Sequence, residues 1–131
     1  MEERAEPKEN RITQLRKGIL ELAIMAALAQ GRHYGYSLVR VLSEGAGDSL
    51  KEGTIYPILA RLDRDGLVHS EWVESAQGPP RKYYSLTAAG RRLFSELSRE
   101  FDLLISLVKR EWNETKEEPR NVVGIRKEMK R

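Results

Sequence analysis

With 131 residues, 40% of them apolar and 33% charged, this chain has the length and composition of one globular domain with an appended helix or tail. It has no cysteine, so disulfide bonds and thiolate metal sites are not expected. It has no apolar run near the length of a membrane span, so membrane insertion is not expected, and we expect a cytoplasmic location. The net charge of +3 permits binding to nucleic acid, and the charged residues 1–10 lack the apolar segment of a secretory signal.

The first helix is predicted at residues 11–30, after a charged N-terminal arm over residues 1–10 that we expect to be disordered. Its apolar residues form two stripes, and a helix that is apolar on most of its circumference is buried on most of it. Two arrangements remain open at this point. The helix is either the central core helix of a monomer, or it contacts a second subunit as well as its own core.

Two further helices are predicted at residues 36–44 and 53–66, separated by glycine-rich and polar residues. The third helix has one apolar face with helical spacing, and Gly66 supplies the left-handed residue that commonly ends a helix. That pattern fits an ordinary core helix as well as one that enters the major groove of DNA. The apolar face consists of Ile55, Ile58, Leu59 and Leu62.

After Gly66 the apolar period changes from helical to alternating, which predicts strands at residues 67–74 and 81–86. The loop at residues 75–80 predicts a hairpin tip too long for a two-residue turn. Three helices followed by a hairpin is the order of a winged helix-turn-helix domain, here over residues 11–86. In that fold the third helix enters the major groove and the hairpin, or wing, lies along the DNA backbone.

The last helix is predicted at residues 87–114, with Thr87 as its N-cap, and residues 115–131 are predicted to be a solvated, charged tail. Apolar residues spaced alternately three and four apart form a heptad seam on this helix. Pairing of the seam with a second copy is the economical arrangement, and folding back onto the first helix is the alternative. The residues expected at a dimer interface are Leu15, Ile19, Phe94, Leu97, Phe101, Leu104 and Val108.

Several motifs follow one another along the chain: LRKGILEL at 15–22, YGYSL at 34–38, EGTIYPIL at 52–59, DGL at 65–67 and GPPRKYYSLT at 78–87. In these motifs and their order, the chain resembles the PadR-like transcriptional regulators. The pairing of GTIYP with RKYYSLT is the specific part, because each motif alone is weak. The resemblance implies a homodimeric winged-helix repressor that binds an inverted-repeat operator in double-stranded DNA.

The fold class expected from pattern and resemblance together is mainly α, of the α+β winged-helix type. It comprises a three-helix core, a two-stranded wing and a long C-terminal dimerisation helix. The resemblance places the Thr-Ile-Tyr-Pro segment on the recognition helix and the Arg-Lys pair on the wing. The residues expected to contact DNA are Lys51, Thr54, Tyr56, Pro57, Arg61, Gln77, Arg81 and Lys82.

Many members of the family resembled here are released from DNA by phenolic acids or planar drugs. In drug-responsive members, an aromatic residue of the last helix lines a pore at the dimer interface. By its offset from the Leu86-Thr87 pair, that place falls to Phe101 here, not to a tryptophan. The departure argues against drug binding of that type. Phe101 and Ile105 are the residues expected to contact a small aromatic effector, if one binds.

Two other classes of function bear on the same sequence. A winged-helix protein–protein adaptor would use these surfaces without DNA, and the nearly neutral recognition helix is in its favour. An enzyme is not expected, because the only histidines, His33 and His69, have no nucleophile or carboxylate at motif spacing and no phosphate loop occurs. We therefore expect no catalysis, no cofactor and no metal ion.

Overall fold

The computed structural model describes residues 7–46 and 50–121, which form four helices and three strands. Their order confirms the predicted mainly α, winged-helix class. The sequence of three helices, a hairpin and a long last helix is the one expected. The elements are α1 (Lys8–Ala29), β1 (His33–Tyr34), α2 (Gly35–Ala46), α3 (Glu52–Arg64), β2 (Val68–Ser75), β3 (Gly78–Leu86) and α4 (Ala88–Asn121).

The core lies between the first three helices and one face of the sheet. Each of the three helices contributes fully buried side chains, and the sheet adds Val68, Tyr84 and Leu86. The predicted apolar face of α3 is confirmed, because all four of its residues are buried. Burial of this kind holds α3 in place while its opposite face stays in solvent. The fully buried side chains are Ile24, Met25, Leu28, Leu38, Ile55, Leu59 and Leu62.

The sheet has three strands in the order β1-β3-β2, one more than predicted. The additional strand β1 is only two residues long, and it pairs His33 with Tyr84 and Tyr34 with Tyr83 in antiparallel register. This segment lies between the predicted first and second helices, where no strand was expected. A strand of two residues is too short to show the alternating pattern by which strands are found.

The prediction of a long hairpin tip is wrong. Ser75 pairs with Gly78, so only Ala76 and Gln77 lie between the strands, and an irregularity in the register falls between Val73 and Ser75. The prolines at 79 and 80 had suggested a loop, yet they belong to β3. Strand β1 pairs only with Tyr83 and Tyr84, so the segment of β3 that contains the prolines has a neighbouring strand on one side alone. A proline, which lacks an amide hydrogen, is tolerated at such an edge.

The helix ends also refine the prediction. Helix α1 begins at Lys8, so residues 8–10 are helical and not part of a disordered arm. Gly66 has a φ of 75°, as expected for the left-handed residue after α3. Thr87 is the N-cap of α4, since its Oγ1 accepts a 3.0 Å hydrogen bond from the amide of Gly90. Helix α4 continues to Asn121, past the predicted end at residue 114.

The chain divides into two compact units, Met1–Ser95 and Glu96–Arg131. The first contains the winged-helix core and the start of α4, and the second contains the rest of α4. The predicted N-terminal arm and charged tail fall partly on residues 1–6 and 122–131, which lie outside the described residues. No helix within the described part of the chain is long and apolar enough to cross a membrane.

Candidate DNA-binding surface

The exposed face of α3 lies opposite its buried residues and is made mostly of small side chains. Gly53, Pro57, Ala60 and Arg64 follow one another at spacings of four, three and four residues, and all are exposed. We call these four residues the recognition face. Small side chains allow the backbone of a helix to approach a groove closely, and Arg64 supplies the one cation. Sequence reasoning included Pro57 and missed Arg64, although helical spacing from Pro57 points to it.

Arg61 lies on one flank of the recognition face and is turned toward α1. Its Nη2 atom is 3.5 Å from Oε1 of Glu21, and the two side chains are 44% and 28% exposed. An ion pair this exposed contributes about 0–1 kcal/mol, so it orients Arg61 more than it stabilises the fold. Thr54, on the same flank, is half-buried. A base contact from Arg61 stays a prediction, and it would first require release of Glu21.

Tyr56 lies on the opposite flank, with its ring against the start of α2. A Cβ atom placed on Gly35 would overlap the hydroxyl and ring end of Tyr56, and Cε1 of the ring would be only 2.6 Å away. Gly35 is buried, whereas Tyr56 is 42% exposed. Burial, and secondarily the nearby carboxylate of Glu52, raise the pKa of the Tyr56 hydroxyl above its usual value, so the phenol is neutral at physiological pH.

The two wing cations lie on opposite faces of the sheet. Lys82 pairs with Trp72, and its Nζ atom lies 5.8 Å and 5.9 Å from the ring centroids of Trp72 and Tyr84, so it is on the face that continues into the core. Arg81 pairs with Val73 and projects the other way, with its guanidinium carbon 4.5 Å from the centroid of Tyr34. The resemblance had placed both residues on the wing without assigning them to different faces.

The outer face of the sheet carries an aromatic and basic group that sequence reasoning missed. Tyr83 and Tyr34 meet edge to face at 5.3 Å, Tyr36 stacks on Tyr34 at 6.4 Å, and Arg32 lies 4.5 Å from the Tyr83 centroid. Together with Arg81 these residues form what we call the outer sheet cluster. Cation–π contacts at exposed sites are worth about 0.5–1 kcal/mol each, enough to hold the two guanidinium groups over the rings.

The remaining expected contacts lie at the edges of this surface. Lys51 is the exposed N-cap of α3 and makes no capping hydrogen bond with its side chain. Gln77 is exposed in the two-residue turn at the tip of the wing. Arg32 is also paired with Glu71, at 3.4 Å, so one acidic group belongs to the outer sheet cluster. The structure thus distributes the expected contacts over α3 and both faces of the wing.

The expected dimer residues divide between exposed and half-buried positions within the single chain. Leu15 and Ile19 of α1 are 68% and 41% exposed, so the first half of α1 is not covered by its own core. On α4, Leu104 and Val108 are exposed, and Phe101, with Ile105, is half-buried. Phe94 and Leu97 are half-buried as well. Exposed apolar residues that recur on one helix face indicate a surface that another molecule covers.

Comparison with known proteins agrees with this architecture. A model of the transcriptional regulator PadR-like family matches residues 24–96. A transcriptional regulator from Mycobacterium tuberculosis is 33% identical over 91 residues, which cover 70% of this chain and 83% of the relative. Among solved structures, a PadR-like transcription factor from Bacteroides fragilis is 44% identical with a TM-score of 0.65, over 77% of this chain and 97% of that one.

A second solved structure, a PadR-like transcriptional regulator from Bacillus cereus, is 31% identical with a TM-score of 0.70. The match covers 76% of this chain and 96% of the other. The family model spans more than half of this chain, and the three proteins described above are matched over 83%, 97% and 96% of their length. This chain therefore belongs to the PadR-like family of transcriptional regulators.

Proposed function

We propose that this protein is a homodimeric, cytoplasmic repressor that inserts α3 of each subunit into the major groove of an inverted-repeat operator. Membership of a family of transcriptional regulators, which is not enzymatic, implies DNA binding. The observation that carries the rest is the recognition face: an exposed helix face of small residues with a single cation, held by a fully buried opposite face. Such a face suits close approach to base edges.

The charge distribution supports different roles for α3, which would contact bases, and for the wing, which would contact phosphates. Within α3, the cations Arg61 and Arg64 are balanced by the anions Glu52 and Asp63, so α3 attracts phosphates weakly. Lys51 and the wing cations supply that attraction in the proposal. If each subunit neutralises about three to five phosphates, the affinity of a dimer for DNA should fall steeply as salt is added. A plot of the logarithm of the affinity against the logarithm of the salt concentration should have a slope of about −5 to −9.

A second copy of the chain is the proposed occupant of the apolar surfaces. The exposed stripe on α1 and the heptad seam on α4 are separate in sequence, and each leaves large apolar side chains in solvent in the single chain. A single partner that covered both surfaces would remove these apolar side chains from solvent. Dimerisation also provides the two copies of α3 that an inverted repeat requires, because a single half-site offers few base contacts.

A small aromatic effector is the proposed signal for release. Phe101 and Ile105 share one face of α4 and are half-buried, and they supply the apolar contact such a ligand needs. Trp112 lies seven residues beyond Ile105 on the same helix, and its fluorescence is the proposed readout of ligand binding. Quenching of its fluorescence by phenolic compounds in the wild type, lost in Ile105→Ala, is the expected result. Unchanged quenching in that variant would place any effector elsewhere.

The proposed function is tested by footprinting the dimer on the DNA upstream of its own gene at low salt. Protection of two symmetric half-sites, with loss of transcription from that promoter when the protein is added, supports a repressor. Absence of any protected repeat contradicts it. Capture of a single stoichiometric protein without DNA would instead support the adaptor function, which the nearly neutral α3 also suits.

A further inference from the structure

We propose that Tyr56 is a positioning residue: its ring, seated on Gly35, fixes the separation of α2 and α3, and so sets how far the recognition face reaches into the groove. The inference rests on the proposed function, since it assigns a role within that binding surface. It differs from the expectation drawn from sequence, in which Tyr56 contacted DNA directly.

The direction of the Tyr56 side chain is the first observation. The recognition face is formed by residues on either side of it, Gly53 and Pro57 among them, whereas Tyr56 turns toward α2. The ring end and hydroxyl occupy the space that any side chain at position 35 would fill. The contact is therefore between the hydroxyl end of an aromatic ring and a bare backbone, and the separation of the two helices there is set by how far the end of the ring reaches.

The surface on which the ring rests is itself rigid. Ser37 Oγ donates a 2.9 Å hydrogen bond to the carbonyl oxygen of Tyr34, accepts a 3.1 Å bond from the Tyr34 amide, and lies 2.9 Å from Nδ1 of His33. These bonds enclose the turn into α2 on both sides of Gly35. The same turn is paired through β1 with the central strand of the sheet. A ring pressed on a fixed backbone determines geometry better than one on a mobile loop.

The position of this contact explains why it would matter for DNA binding. In a helix-turn-helix domain the first helix of the pair crosses the DNA backbone while the second enters the groove. Tyr56 lies in the N-terminal half of α3, the half that meets the bases, and Gly35 is the first residue of α2. A change in their separation therefore moves base contacts relative to phosphate contacts within one half-site. Specific binding depends on that distance more than non-specific binding does.

The test uses the full-length protein and four variants: Tyr56→Phe, Tyr56→Ala, Gly35→Ala and the double variant Gly35→Ala/Tyr56→Ala. Affinity is measured for the protected operator and for a scrambled duplex of the same length and salt. Tyr56→Phe keeps the ring and should bind the operator within about twofold of the wild type. Tyr56→Ala and Gly35→Ala should each lower operator affinity by about tenfold, with little change on the scrambled duplex.

The double variant carries the decisive comparison. Once the ring is gone, a methyl group at position 35 has nothing to displace, so Gly35→Ala/Tyr56→Ala should bind no worse than Tyr56→Ala alone. Additive losses would overturn the inference, as would a Tyr56→Phe variant as weak as Tyr56→Ala, because that result would show that the ring, which both tyrosine and phenylalanine have, does not set the spacing. Circular dichroism at the assay temperature confirms that each variant is folded.

Failure of the proposed function is distinguishable from failure of this inference. If the wild-type protein protects no operator, the proposed function fails. The thermal unfolding midpoints of the same four variants then still test the contact. A seated ring predicts non-additive midpoints, with Gly35→Ala costly only when Tyr56 is present. Additive midpoints show that the two residues are independent.

Discussion

The hydroxyl of Thr87 donates a 2.8 Å hydrogen bond to the carbonyl oxygen of Gly66, which joins the start of α4 to the left-handed glycine that follows α3. The amide of Thr87 also donates a 3.1 Å bond to the carbonyl oxygen of Leu67. Since the same Oγ1 caps α4 by accepting from Gly90, one side chain serves two helix ends. The turn after the recognition helix and the first turn of the last helix are thus one hydrogen-bonded unit.

Replacing Thr87 with valine should destabilise the fold by about 1–2 kcal/mol, because the cap and the bond to Gly66 are lost together. The loss appears as a lower urea midpoint with an unchanged slope. The matched control is Thr13→Val in α1, whose hydroxyl bonds to the exposed carbonyl of Glu9. Equal effects of the two substitutions would contradict the role given to Thr87.

Gly90→Ala should be more damaging than Thr87→Val. A Cβ atom at this position meets the carbonyl oxygen of Leu67 and comes within 3.2 Å of Cδ2 of Leu86, so the start of α4 has to shift. The expected cost is about 2–3 kcal/mol by analogy with overpacked cores, measured as a fall in unfolding free energy. Gly45→Ala is the control. Position 45 has open space, and alanine there should be neutral or stabilising by up to about 1 kcal/mol.

We expect α3 to determine the sequence specificity of DNA binding and the wing to determine its salt dependence. Arg64→Ala should lower the preference for the operator over scrambled DNA by about 1–3 kcal/mol, since it removes the cation of the recognition face. Lys82→Ala should weaken both DNAs alike and reduce the salt slope by about one. Arg99→Ala, an exposed α4 arginine off the heptad seam, is the control and should leave both quantities unchanged. The reverse pattern would exchange the two assignments.

Acidification should destabilise the protein through His33. Burial lowers the pKa of His33 below its ordinary value of 6.5, so the unfolded chain takes up the proton first. The stability of the fold is therefore highest at pH values above the ordinary histidine pKa. It falls as the pH decreases through that pKa, and it levels off once His33 is protonated in the folded protein as well. Unfolding midpoints of the wild type and His33→Asn between about pH 8 and 5 test this.

The control for His33 is His69→Asn, because His69 lies on the surface of β2 beside Glu71. The wild-type loss of stability in this range should persist in His69→Asn and be reduced in His33→Asn. A pH dependence that is the same in all three proteins would mean that burial of His33 has no measurable cost.

The dimer seam should tolerate charge at one leucine and not at its neighbour. Leu104 lies on the heptad seam and Leu103 lies off it, although both are exposed in the single chain. Leu104→Lys should therefore yield monomers by light scattering, and Leu103→Lys should stay dimeric. Dissociation by Leu103→Lys alone would show that α4 pairs through a different face.

Sequence patterns predicted the buried half of this protein well. The spacing of Ile55, Ile58, Leu59 and Leu62 was enough to orient α3, because helical periodicity and burial are directly related. The change of period after Gly66 located the wing. The last helix was found from Thr87 onward, where a capping residue precedes a heptad pattern.

Several contacts within the candidate surface could not be predicted from the sequence, for physical reasons. Strand β1 has two residues, so neither its pairing with β3 nor the outer sheet cluster that it creates follows from periodicity. The seating of Tyr56 on Gly35 joins residues that are distant in sequence and leaves no local pattern. The ion pair of Arg61 with Glu21 crosses between helices in the same way.

The alternation of β3 has a consequence for how the wing can vary among related proteins. Tyr84 and Leu86 are buried on one face, so the parity of the strand obliges Lys82 to share that face and Arg81 to take the other. Adding or deleting one uncharged residue between positions 82 and 84 would exchange the faces on which the two cations lie, without altering the net charge. The face of the wing on which each cation lies is therefore determined by whether its position is odd or even along β3. The presence of a basic dipeptide does not by itself determine it.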